Sequence, residues 1–386
     1  MIYLDNAATT FPKSESVYLK MDEVSRNLCF NAGRGVYKAA RKANDIIEQT
    51  REKILMLAGA NKSANVIFTS SATIALNQII GGINFYESDT VYVSPFEHNA
   101  VMRALYLWQK RIGFTIKELP LIIEGESLHQ RHELDLESIR FEFARRKPSY
   151  VFMSHVSNVT GYILPIEAVG KIAKEYEAKV IVDGSQAFGI VEINLNSLPV
   201  DAYVFAGHKT CYGPFGIAGF ILKSNFALNL LIAGGNGSDS LNLEMPREGS
   251  ARFETGSENI VAIAGLKAAL DEREDKVYEK EKELTDFLVF GIERINNIYT
   301  YLPKENSHIG IVSFNIRSYK AVEVGHILDD DFDIAVRAGY HCAPLIHEYL
   351  NDKLFAGTVR ASVGKFTTKN DIEVFLKALK DLAEEI

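Results

Sequence analysis

Cysteine is scarce in this chain: Cys29, Cys211 and Cys342 are the three among 386 residues. They are too few and too scattered for a disulfide framework or a zinc site. A reducing cytoplasm is the expected setting, and a lone thiol there is free for chemistry. No apolar run approaches the length of a membrane span. The opening residues, MIYLDNAATT, carry an acid early and no basic region, so no secretory signal is expected. Positive charge is in deficit: 42 Lys and Arg stand against 50 Asp and Glu, a net charge of −8. That balance argues against nucleic acid or an anionic membrane as a main partner. No G-x-G-x-x-G follows the first strands, which disfavours a dinucleotide-binding protein. Internal repeats and low-complexity tracts are absent too.

What remains is a chain of ordinary globular composition, long enough for two domains. Short apolar runs predict strands at Val66–Thr69, Thr90–Ser94, Thr115–Leu119, Tyr150–His155, Val180–Asp183, Ala202–Ala206 and Ile217–Leu222. Helices are expected from Ser16 to about Leu28, across Ile46–Leu57, and at Asn99–Arg111, Asp135–Arg145 and Ile166–Tyr176. Strand–helix alternation of this kind implies an α/β fold with a mostly parallel sheet covered on both faces, and ligands at the carboxyl ends of its strands. The loop 31–38 contains glycines and carries Arg34. Residues 234–258 are polar, aperiodic and rich in Gly and Ser, the mark of a functional or mobile loop. Asn259 to about Asn296 reads as one long helix with room for an interruption. HIGIVSFNI, a helix near Val322–Leu328, IAVRAG, TVRAS and a helix from Asn370 form a smaller α+β unit. The expected division is a large domain at 16–265 and a small one from 1–15 with 266–386.

Three stretches carry chemistry. TSSATIALN (69–77) takes a strand into a helix through small hydroxyl residues, where free backbone N–H groups and the helix dipole favour a phosphate; plain N-capping explains the same residues. VDGSQ (182–186) ends a strand on Asp183, an acid able to pair with a protonated heteroaromatic nitrogen, with Gln186 in reach of the same ligand; a helix N-cap is the alternative. No second acid stands at a matching spacing, so a metal site is not expected. AGHK (206–209) sets Lys209 just past a strand, between glycines. A buried lysine loses pKa and becomes a nucleophile suited to a Schiff base, whereas most lysines are solvated.

The order and spacing of these motifs resemble fold-type I pyridoxal phosphate enzymes of aminotransferase class V, and within that class the cysteine desulfurases. YLDNAATT (3–10), FTSSATIALN (68–77), EHNA (97–100), HVSNVTG (155–161), VDGSQAFG (182–189), GHK (207–209), RFETGSEN (252–259), IAVRAGYHCAP (334–344) and VRAS (359–362) carry the resemblance nearly end to end. It implies pyridoxal 5′-phosphate as cofactor, with Lys209 as its Schiff-base lysine. Asp183 would pair with the ring nitrogen and Gln186 with the ring oxygen. His98 would stack on the ring and assist proton transfer, and Asn158 would lie near substrate and ring. Ala72, Thr73 and His208 would hold the phosphate. Arg360, with Arg337 nearby, would clamp the substrate carboxylate. Ser257 would reach the phosphate of a neighbouring subunit's cofactor in a homodimer.

Cys342 selects the reaction. It lies in RAGYHCAP beside His341 and near Arg337, and neighbouring cations raise the thiolate fraction of such a thiol. The resemblance implies that it attacks the sulfur of L-cysteine, leaving a persulfide on Cys342 and releasing L-alanine; the persulfide sulfur would then pass to an acceptor, a sulfur-acceptor protein among the candidates. A transaminase, epimerase, selenocysteine lyase or carbon–sulfur lyase of the same class is the alternative reading. The pattern is closest to group II desulfurases and departs from it in four places. Ala206 stands where a phosphate-binding Ser is usual, Tyr37 where His is common, and Ile74 where many relatives have Glu; Leu345 follows HCAP directly. These departures indicate a divergent branch.

Overall fold

The computed structural model describes residues 1–32, 35–125, 128–235, 237, 241–304 and 307–384, so Arg34 lies outside the described residues. A seven-stranded sheet forms the centre, in the order Asn65–Thr69, Ala218–Leu222, Ala202–Ala206, Lys179–Asp183, Tyr150–Ser154, Thr90–Val93, Thr115–Glu118. All neighbours are parallel except Ala218–Leu222, which is antiparallel to both of its own. Alternate side chains of each strand enter opposite cores. Val180, Val182, Tyr203 and Phe205 face one core, which the helices Lys38–Leu57, Ile166–Lys174 and Ile260–Asp271 complete. Ile181, Ala202 and Val204 face the other, under Ala72–Gly82 and Asn99–Ile112. Both faces are therefore dry, and the strands read as continuous apolar runs for that reason.

A second sheet has six strands in the order Arg337–Gly339, Thr358–Ser362, Ile311–Ile316, Ile298–Pro303, His129–Leu134, Leu121–Glu124. Helices Val277–Ile292, Ala321–Phe332 and Lys369–Glu384 pack on it around Phe314 and Phe375. A short parallel pair, Ile2–Tyr3 with Ile334–Ala335, ties the start of the chain to this unit.

The expected α/β alternation is present, with strand ends shifted by a residue or so. Two features differ from the expectation, and one interruption falls where the sequence allowed for it. Leu121–Glu124 and His129–Leu134 are strands where the sequence predicts none. HQRHEL is polar and gains its order from parallel pairing with Ile298–Pro303, far along the chain. The helical stretch after Asn259 breaks at 272–276, where the charged run EREDK has no apolar face to bury. The helix expected around Ile46–Leu57 starts earlier, at Lys38, and Gly59, at φ +55°, takes the left-handed position just past its end. Among the described residues no helix is long and apolar enough to cross a membrane.

Candidate active site

The carboxyl edge of the central sheet assembles the predicted residues. Asn65–Thr69 runs through Ser71 into the helix Ala72–Gly82, and Ser71 Oγ caps it by accepting from Ile74 N at 3.3 Å. The chain after Thr90–Val93 carries His98, which caps Asn99–Ile112. Tyr150–Ser154 leads to Asn158, Lys179–Asp183 to Gln186, and Ala202–Ala206 to His208 and Lys209. The second sheet contributes Arg337 and Arg360, and the turn after its strand Arg337–Gly339 contributes Cys342. A cavity of about 240 Å³ is lined by Ala72, Thr73, His98, Asn158, Asp183, Gln186, His208, Lys209, Arg337, Cys342 and Arg360. Ala206, Ser71, Ser154, Ser185, His341, Ala7, Ala8, Ala100 and Val156 complete its wall.

Ser257 is the predicted residue that this cavity does not include. It lines a second cavity of about 260 Å³ together with Ile74 and Thr69, and its hydroxyl accepts from Asn31 Nδ2 at 3.1 Å. Tyr37 is half exposed, packed edge-on against Phe30. It caps the helix Lys38–Leu57 from outside the main cavity.

Burial and charge set the state of each group. Burial lowers the pKa of Lys209, with Arg360 and Arg337 acting in the same direction and Asp183 opposing. Asp183 Oδ1 accepts from Ser185 N at 3.0 Å and from Ser185 Oγ at 2.5 Å, which fixes the carboxylate at its strand end. His98 is lowered to about 4 by burial and by Lys209. Its Nδ1 accepts from Ala100 N at 3.0 Å, so the neutral ring carries its proton on Nε2. Gln186 donates from Nε2 to the carbonyl of Ala7 at 2.7 Å.

The sequence reading of His341 as a cation beside Cys342 is corrected by the structure. His341 is buried, and burial together with Arg360 holds its pKa well below the usual histidine value. Its Nε2 lies 3.0 Å from the Thr358 carbonyl, an acceptor only, so Nε2 bears the proton of a neutral ring. The positive neighbours left on the pocket wall with Cys342 are Arg337, Arg360 and Lys209. Cys342 itself is exposed. His341 and Cys342 both adopt left-handed backbone, φ +46° and +57°, a costly arrangement for two residues with side chains. Two bonds hold it: Asn158 Nδ2 donates to the His341 carbonyl at 2.7 Å, and Asn99 N donates to the Cys342 carbonyl at 2.7 Å.

Residues without a role in the sequence reading support this frame. Glu97, inside EHNA, is fully buried, and its Oε1 accepts from Ser94 Oγ and Ser154 N at 2.5 Å each. Desolvation raises its pKa to about 8, which favours the protonated acid at neutral pH. Asp5, inside YLDNAATT, pairs with Arg360. Both lay in quoted motifs, but each partner is reached only through the fold.

The donor set fits pyridoxal phosphate. A lysine of lowered pKa, a fixed carboxylate and a helix N-terminus meet in one cavity. Beside them the buried His208 Nδ1 has no hydrogen-bond partner. Among the described residues no group of His, Cys, Asp or Glu is arranged to hold a metal ion.

Residues 2–375 match the family described as aminotransferase class-V. A protein of Halalkalibacterium halodurans named "probable cysteine desulfurase" is 31% identical, covering 100% of this chain and 93% of its own. A cysteine desulfurase of Escherichia coli O157:H7 is 28% identical over 98% of this chain and 93% of its own. The apo structure of a cysteine desulfurase from Thermococcus onnurineus superimposes with a TM-score of 0.90 at 28% identity, covering 100% of this chain and 95% of that one. With its fold type I architecture, the chain belongs to the aminotransferase class-V family, among the cysteine desulfurases.

Proposed function

We propose that the chain is a pyridoxal 5′-phosphate-dependent cysteine desulfurase that converts L-cysteine to L-alanine and leaves a persulfide on Cys342. The observation that carries this reading is the convergence of Lys209, Asp183, Arg360 and Cys342, from distant parts of the sequence, on one cavity. When bound, the cofactor supplies an electron sink that makes the Cα proton and the Cβ–S bond of the substrate labile. Lys209 would hold it as a Schiff base, Asp183 its ring nitrogen and Gln186 its ring oxygen, with His98 stacked on the ring. Thr73, the backbone at Ala72, and His208 would take its phosphate.

The chain's own groups perform the rest. Arg360, Arg337 and Asn158 bind and orient the substrate carboxylate. Lys209 Nζ, of lowered pKa and released by the arriving substrate, takes the Cα proton. Cys342 Sγ attacks the substrate sulfur: an S–S bond forms and the C–S bond breaks. The electron pair stays with the carbon, which is protonated to give the alanine methyl group. The fixed backbone of His341 and Cys342 orients Sγ for this attack.

The persulfide sulfur would pass to an acceptor, a protein among them, at the exposed Cys342. A homodimer fits two features. Ser257 faces a cavity outside this pocket, as a residue serving a partner's phosphate would. Val36, Leu241 and Leu243 are almost wholly exposed in the single chain. In domain terms, 16–265 would hold the cofactor while 1–15 and 266–386 close over it, with the strands of 121–134 reaching across to the second sheet.

The test is conversion of L-cysteine by the purified, cofactor-loaded protein with a thiol reductant. L-Alanine and sulfide form at equal rates, and Cys342→Ser loses both by about a hundredfold or more. Full activity of Cys342→Ser on L-cysteine would place the chain with class V enzymes that do not use this thiol.

A further inference from the structure

Asp5 has no part in the steps above, yet its side chain is committed to the substrate arginines. Oδ1 accepts from Arg360 Nη2 at 2.7 Å, and Oδ2 lies 3.9 Å from Arg337 Nη1. Arg360 is only 2% exposed. Of its five N–H donors, Asp5 takes one and the Asn158 carbonyl another, at 2.8 Å. The buried Nε has no partner among the described residues. Donors remain, therefore, for one incoming carboxylate. The Asp5 backbone bridges to Ser362, two residues beyond Arg360 on the same strand, so carboxylate and guanidinium ride on one frame. Two arginines line this end of the pocket, and one fixed carboxylate stands behind them, outside the lining. The surplus is a single positive charge, which one substrate carboxylate neutralises.

We propose that Asp5 is the positioning and specificity-determining residue of the carboxylate site: it fixes Arg360 and cancels one of two arginine charges, so that the pocket takes amino acids with one carboxylate and disfavours those with an anionic side chain. The proposal rests on the amino-acid site described under the proposed function. Without Asp5, Arg337 and Arg360 would present two uncompensated charges, and a second anionic group on the ligand would find a partner. With it, one of those charges is already offset from behind by the Asp5 carboxylate.

L-Asparagine and L-aspartate share a shape and differ by one charge, so their relative affinity reads the pocket's charge directly. Both are titrated into cofactor-loaded wild type, Asp5→Asn and Asp5→Glu, following the absorbance of the bound cofactor. In Asp5→Asn the preference shifts toward L-aspartate by about tenfold relative to wild type. Asp5→Glu, which keeps the charge, retains the wild-type preference even where both ligands bind less tightly. An unchanged ratio in Asp5→Asn overturns the proposal, because a merely structural loss weakens both ligands alike. An equal shift in Asp5→Glu overturns it too. L-Alanine formation from L-cysteine by wild type is followed separately. Its failure counts against the desulfurase reading and leaves the charge-ratio test standing.

Discussion

Ala206 ends the strand that leads to Lys209, and its methyl group occupies the pocket wall with Thr73 and His208, the proposed phosphate donors. A hydroxyl there would give a charge-assisted hydrogen bond to a phosphate oxygen, a bond worth roughly 1.5–3 kcal/mol. Ala206→Ser is therefore expected to tighten pyridoxal phosphate binding about tenfold, measured by equilibrium dialysis of the cofactor. Unchanged affinity would mean that Ser71, Thr73 and His208 already satisfy the phosphate. At this scale the sequence was informative where a residue's role follows from its place in a motif. Lys209 and Asp183 sit at the ends of apolar runs, and a strand end in a parallel sheet faces the ligand crevice. It was silent on charge state. His341 looks like a cation beside a thiol until the fold shows it buried against Arg360. Asp5 had no visible partner because Arg360 is 355 residues away.

Among the elements, Glu254 ties the irregular stretch 234–258 to the central sheet through a clamp. Arg51, on the helix Lys38–Leu57, grips Glu254 with two bonds, Nη1 to Oε1 at 2.9 Å and Nη2 to Oε2 at 2.6 Å. Glu254 Oε1 also accepts from Phe68 N at 2.6 Å, on the strand that leads into the helix Ala72–Gly82. The guanidinium lies 4.7 Å from the Phe68 ring centroid. Both side chains are nearly buried, at 11% and 9% exposure. Removing one partner leaves the other charge uncompensated in a poorly solvated site. Glu254→Gln is expected to lower unfolding free energy by about 3 kcal/mol in chemical denaturation. A change below about 1 kcal/mol would show that water reaches Arg51 and that the clamp is a surface pair. The sequence reads this loop as aperiodic, and its anchor was invisible: a lone Glu between Phe253 and Thr255 has no local signature. The strand His129–Leu134 was hidden for a related reason. Its order comes from pairing with a strand of the second sheet, and a polar run gives no alternation by which to find it.

For the whole molecule, the buried titratable groups fix how stability follows pH. Glu97 and Glu281 are both raised to about 8 by desolvation, against an ordinary 4.5. Glu281 sits on the helix Val277–Ile292, under the Tyr212 hydroxyl at 3.0 Å. Between those pH values the folded chain binds protons that the unfolded chain has released, so these two groups lose stabilising effect as pH rises toward 8. The buried histidines act in the opposite sense. His132 is lowered to about 3, and His98, His155, His208 and His308 to about 4; His341 also falls well below 6.5. Unfolding lets each take a proton below about pH 6.5, so stability falls as pH drops through that value. Six histidines outweigh two carboxyls on the acid side. Above pH 6.5 the histidine effect fades and the carboxyls come to dominate, each contributing a slope of up to about 1.4 kcal/mol per pH unit, with buried Lys209 opposing them in direction. The window closes near pH 8, where Lys13, lowered to about 8 by desolvation, begins to oppose them. The ligand-free protein should therefore show its highest Tm near pH 6.5 and a decline toward pH 8, measured by thermal unfolding in buffers of matched ionic strength. Glu281→Gln removes one of the two groups without touching the pocket and should halve the decline. A Tm that holds level or climbs from pH 6.5 to 8 in the wild type would mean that Glu97 and Glu281 ionise inside the fold, with water or a rearranged Tyr212 solvating them.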